Sequence, residues 1–89
     1  MPQSLTEILA ERGNSYGDYT SQALVAQTLK GVVHNAPTSE VMGAIERESL
    51  DMICTKMSRL LTGDPQHLDS WVDIAGYAQL VVDRLRKDT

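Results

Sequence analysis

The sequence predicts an all-α fold, a compact bundle of about four helices whose long third and fourth members pack antiparallel. Three observations carry this. Four segments repeat their apolar residues at i, i+3, i+4 and i+7 rather than in alternation. Glycine, proline, Asn, Ser and Asp punctuate them at 13–18, 35–39 and 63–67. The apolar content comes from Leu, Val, Ile, Met and Ala, with one Trp, three Tyr and no Phe, whereas sheets draw on aromatic and β-branched side chains. Eighty-nine residues support a single core, so residues 1–89 are read as one helical domain. A core that small gains from pairing with a copy of itself, and a homo-oligomer is expected.

The first helix is expected to open at Ser4-Leu5-Thr6-Glu7, a capping box in which the Ser4 hydroxyl and Glu7 carboxylate satisfy free backbone donors. Leu5, Ile8 and Leu9 give it one apolar face, and Gly13 offers a left-handed stop. Gly13 to Asp18 then reads as a loop. Asp18 or Thr20 caps a second helix running to about His34, with Leu24, Val25, Thr28, Leu29 and Val32 at helical spacing. After a connector at 35–39, Thr38 or Ser39 caps a third helix that ends at Leu61 or Thr62, before Gly63. Leu50, Ile53, Cys54, Met57, Leu60 and Leu61 form its stripe, and Val41, Ile45 and Met52 widen it, which suggests a second packing partner. Pro65 forbids continuation, and Asp69 fits the N-cap of a fourth helix carrying Trp71, Ile74, Ala75, Ala78, Val81, Val82 and Leu85. Gly76 and Ala75 would let it approach the third helix closely.

The net charge of -4 argues against a duplex-DNA-binding protein, since neutralising phosphates needs clustered cations. Arg84, Arg86 and Lys87 sit together near the C-terminus but suit the end of a helix dipole. One cysteine, Cys54, permits no internal disulfide and reads as a packed thiol. No leader pattern and no long apolar run is present, so a cytoplasmic protein without a membrane partner is expected. His34 and His67 lack a partner at zinc spacing and read as surface or capping residues. No nucleophile elbow, phosphate loop or HExxH motif occurs, so no catalytic residue is assigned.

Lys56 is the residue that asks for an explanation. A helical wheel places it between Met52 and Leu60, inside the apolar arc, so its ammonium must be paired or must snorkel to water. Asp69 and Asp73, one turn apart, would face Lys56 and Arg59 from the next helix. Such a cluster can flank a pocket whose cations take a phosphate, or it can be an ion-pair network that serves only the fold. Glu46, Glu48 and Asp51 are expected to face solvent rather than hold a metal. Tyr16 and Tyr19, in or beside the glycine loop, are free to contact a ligand.

Glu11-Arg12-Gly13 with Tyr16-Gly17-Asp18, Lys56-x-x-Arg59, and Asp69-Ser-Trp-x-Asp73-Ile-Ala-Gly-Tyr-Ala78 together resemble a family of small proteins encoded by phages and prophages. The resemblance covers nearly the whole chain. More distantly, the segment from Asp73 to Ala78 is similar to the last motif helix of the MazG-type all-α nucleoside triphosphate pyrophosphatases. There, helical carboxylates hold magnesium over a nucleotide's phosphates. In that group the first motif is a Glu-x-x-Glu pair, whereas the corresponding stretch here carries Lys56 and Arg59, which suit a phosphate better than a metal. The expectation is therefore a phage accessory protein, in the host cytoplasm, that binds a nucleotide or related phosphate ligand through Lys56, Arg59, Asp69, Asp73, Tyr16 and Asp18. No resident cofactor or metal is expected, and magnesium enters only on the MazG-like alternative. Two rivals are a module that inhibits a host or defence protein, and a magnesium-dependent pyrophosphatase.

Overall fold

The computed structural model describes residues 3–87, which form four helices and, among them, no strand. They are α1 (Leu5–Tyr16), α2 (Tyr19–Asn35), α3 (Ala44–Thr62) and α4 (Leu68–Lys87). The all-α bundle expected from the periodicity is the fold observed. α3 lies at its centre, with α2 packed along one flank and α4 along the other. α1 leans on the α2–α3 pair, and α4 touches neither α1 nor α2.

Each boundary has a local cause. Ser4 accepts from Glu7 N at 3.2 Å and starts α1. The helix does not stop at Gly13; it runs through Asn14 and Ser15 to Tyr16, and Gly17 ends it at φ 85° with its amide bonded to Gly13 O. Asp18 then caps α2 by accepting from Ser21 N at 3.1 Å, so Thr20 is not the cap. The helix formers of α3 begin later than Thr38 or Ser39. Residues 36–42 coil into successive turns, the Ser39 carbonyl is claimed by the Arg47 guanidinium, and α3 opens after Gly43 with no side-chain cap. Val41 falls outside the helix and is 85% exposed.

α4 starts one residue before its expected cap. His67 precedes it, and its ring Nδ1 accepts from Ser70 N at 3.3 Å, so Asp69 sits in the first turn, where its charge complements the helix dipole. Of the surface or capping roles expected for His67, the bond from Ser70 N gives it the capping one. His34 closes the other end of α2, with Nε2 2.7 Å from Asp51 Oδ1, so Asp51 faces α2 rather than open solvent.

The α3–α4 crossing is made by serines, not by glycine. Ser58 and Ser70 are completely buried, and each satisfies its hydroxyl locally: Ser58 donates to Thr55 O at 2.6 Å, and Ser70 Oγ lies 2.9 Å from His67 Nδ1. Gly76, expected at the crossing, is exposed, and a Cβ there would meet nothing within 4 Å. Trp71 also turns away from α3; its indole N–H donates to Pro65 O at 2.9 Å while the ring stays 54% exposed. Among the described residues the buried apolar core is Ala26, Cys54 and Leu60.

Two glycines fix where α1 meets α3. A Cβ on Gly17 would stand 2.0 Å from Thr62 O, and one on Gly63 would stand 2.3 Å from the Tyr16 carbonyl carbon. The backbones touch there, held by Asp64 N donating to Ser15 O at 2.8 Å and Thr62 Oγ1 donating to Tyr16 O at 2.7 Å. Gly17→Ala combines a forbidden φ with a backbone clash and will cost about 2 to 4 kcal/mol in urea unfolding. Gly31→Ala, in the α2 interior with open space around it, will instead stabilise by about 0.5 to 1 kcal/mol.

Candidate functional site

A cleft of about 760 Å³ lies between α1, α2 and the middle of α3, a volume suited to a small molecule. α1 contributes Leu9, Arg12, Gly13 and Tyr16, the α1–α2 junction Gly17 and Asp18, and α2 the row Tyr19, Gln22, Ala23, Ala26, Gln27 and Lys30. Thr55 and Arg59 close it from α3. The sequence expectation of a ligand site included Tyr16, Asp18 and Arg59, and all three line this cleft. Lys56, Asp69 and Asp73 do not.

Tyr16 organises one end. The Arg59 guanidinium lies 4.4 Å from its ring centroid, Arg12 lies 5.7 Å from it, and His67 meets it edge-on at 5.1 Å. Cations stacked on an aromatic face are held by the ring quadrupole without being neutralised. Arg59 has no carboxylate within ion-pair distance among the described residues, and its Nε is buried without a hydrogen-bond partner. A guanidinium is desolvated there at a cost that a bound anion would offset.

The charge lining the cleft is opposite to that of the chain. Arg12, Lys30 and Arg59 face a single carboxylate, Asp18, whose Oδ2 already accepts from the amide and the hydroxyl of Ser21. None of the three cations has an ion-pair partner among the described residues. Arg12, noted only as part of the motif around Gly13, and Lys30 were not assigned to the ligand from the sequence. Their signal was present, since Arg12 stands one turn before Tyr16 and Lys30 two turns after Gln22, but only the crossing at Gly17 brings them together.

The other half of the expected cluster is elsewhere. Lys56 Nζ lies 2.9 Å from Asp73 Oδ2, with the lysine side chain 12% exposed and the aspartate 46%. This satisfies the need to pair a cation lodged in an apolar arc. Asp73 rims an open groove on α4 with Val72, Gly76, Tyr77 and Leu80, while Asp69 joins neither the pair nor the lining of this groove or the cleft. Among the described residues, no three His, Cys, Asp or Glu side chains are gathered so as to hold a metal ion.

Residues 2–84 match the family described as a domain of unknown function, DUF6378. The chain belongs to the DUF6378 family. No curated protein and no solved structure matches it. In this DUF6378 chain no described helix is long and apolar enough to cross a membrane.

Burial on α3 raises the pKa of the Cys54 thiol, the nearby Asp51 carboxylate adds to this, and Lys30 partly opposes it. The thiol stays protonated in the fold at pH values where it ionises in the unfolded chain. Stability will therefore fall as pH rises from the ordinary thiol range toward the raised folded value, and Cys54→Ala will flatten that alkaline decline in urea titrations. At neutral pH iodoacetamide will modify Cys54 more than about tenfold more slowly in native than in unfolded protein, as read by mass spectrometry. Removing one member of the Lys56–Asp73 pair is asymmetric in cost. Asp73→Asn, which strands the ammonium, will cost about 1 kcal/mol, and Lys56→Met will be close to neutral.

Proposed function

We propose that this DUF6378 chain is a binding protein for a nucleotide or related phosphate-bearing ligand, held in the cleft between α1, α2 and α3. The observation that carries the reading is the unneutralised Arg59 guanidinium on the cleft wall, joined there by Arg12 and Lys30 in a protein of net charge -4. Guanidinium groups match phosphate oxygens in a two-pronged geometry that an ammonium lacks, and Lys30 adds a point charge. Tyr19, exposed at the cleft, supplies a ring face on which a base can stack, while Tyr16 holds the two guanidinium groups. The same cleft offers no pair of free carboxylates, which supports binding without turnover rather than metal-assisted hydrolysis. The likeness to phage and prophage proteins supports an accessory role during infection.

A thermal-shift series with nucleoside mono-, di- and triphosphates, with and without magnesium, tests this. A ligand present at a hundred times its Kd will add about 2.7 kcal/mol of stability. The rise will be lost in Arg59→Gln and kept in Lys56→Gln. A rise that instead depends on Lys56 moves the ligand to the Asp73 groove. Magnesium-dependent pyrophosphate release that disappears in Asp73→Asn makes the protein an enzyme. Indifference to every nucleotide removes the binding reading and leaves that of an interaction module.

A further inference from the structure

α4 is apolar on two faces and uses only one of them. Ser70, Ile74, Tyr77 and Val81 form the partly or wholly buried row on its α3 side. About a hundred degrees round the helix runs a second row, Leu68, Trp71, Ala75, Ala78, Val82 and Leu85, spaced alternately three and four residues apart, every member exposed. Leu68 is 71%, Trp71 54% and Leu85 51% open to solvent. With the Trp71 N–H already bonded to Pro65 O, its ring presents an apolar face that asks for no polar partner.

The rest of the molecule shows the same deficit. Its accessible surface is 6416 Å², against about 5,200 Å² for a closed monomer of this mass, and its radius of gyration is 15.2 Å, against about 12 Å. The excess surface exceeds the roughly 800 Å² that each partner contributes to a stable dimer interface.

We propose that the outer stripe of α4 is the seam of a homodimer, in which α4 packs antiparallel on α4 of a second copy about a two-fold axis that passes between Ala75 and Ala78. The stripe reads the same from both ends in size. In this register Leu68 meets Leu85, Trp71 meets Val82, and Ala75 meets Ala78, so bulky groups interlock at both ends while small ones let the helix axes close in the middle. Charge obeys the same symmetry. The acidic first turn, with Asp69, falls opposite the basic last turn of Arg84, Arg86 and Lys87, and the two helix dipoles run head to tail. A parallel pairing would set acid against acid and base against base. This inference stands on α4 alone and is independent of the ligand cleft.

Light scattering coupled to gel filtration at tens of micromolar will give twice the 9.8 kDa chain mass for the wild type. Trp71→Glu and Leu85→Glu will each halve it while circular dichroism keeps the helical signal. For the register, chains carrying Cys54→Ser with either Leu68→Cys or Leu85→Cys will form a disulfide under oxidation only when the two are mixed. A monomeric wild type overturns the proposal, and so does a dimer that ignores both glutamates, which places the contact on another face. Cross-linking within either single-cysteine population overturns the antiparallel register. Should Trp71→Glu lose its helical signal, the mass of Leu85→Glu and the mixed-cysteine result decide the matter.

Discussion

Where α1 crosses α3, the chain allows two backbones to meet without a side chain between them. Gly17 lies against the Thr62 carbonyl and Gly63 against the end of α1, so the last turn of each helix becomes part of one junction. Everything distinctive about the cleft follows from that contact. It brings Tyr16 over Arg59, directs Asp18 to the head of α2, and sets α1 at a distance from α2 that leaves a cavity rather than a packed seam. A methyl group on either glycine would force the helices apart and scatter the cations.

The electrostatics of the molecule divide along the same lines. Carboxylates outnumber cations twelve to eight over the whole chain, yet the cleft wall reverses the ratio. Arg59 and Arg12 stand over the Tyr16 ring rather than against counter-ions, so their charge is not cancelled within the cleft. Lys56 shows the opposite solution to the same problem. It too lies among apolar groups, but Asp73 neutralises it within the protein, and it holds α4 against α3.

Helical periodicity was enough to foresee the number of helices, their order and the position of α4, because a face that must be buried repeats with the pitch of the helix. Capping chemistry located Ser4, Asp18 and Gly63. What local rules missed depends on contacts distant in sequence. Gly13 stood where a stop is plausible, yet Gly17, the glycine with a carbonyl pressed against it, was the true terminus. Ser39 had the right side chain for a cap but gave its carbonyl to Arg47. On α4 a single broad stripe was anticipated, whereas only part of it meets α3. Of the six residues assigned to a ligand, Tyr16, Asp18 and Arg59 converge and Lys56, Asp69 and Asp73 do not. A helical wheel shows which way a residue points but not what lies opposite.

α1 has no buried residue, and its described anchor is the junction around Ser15 and Tyr16. An element fastened at one end behaves as a cantilever: its first two turns can swing while the α2–α3–α4 layer stays intact. Widening the cleft for the proposed guest would then mean bending at that junction instead of melting a core. A molecule with little interior to spare would thus take up the proposed ligand without risking its fold.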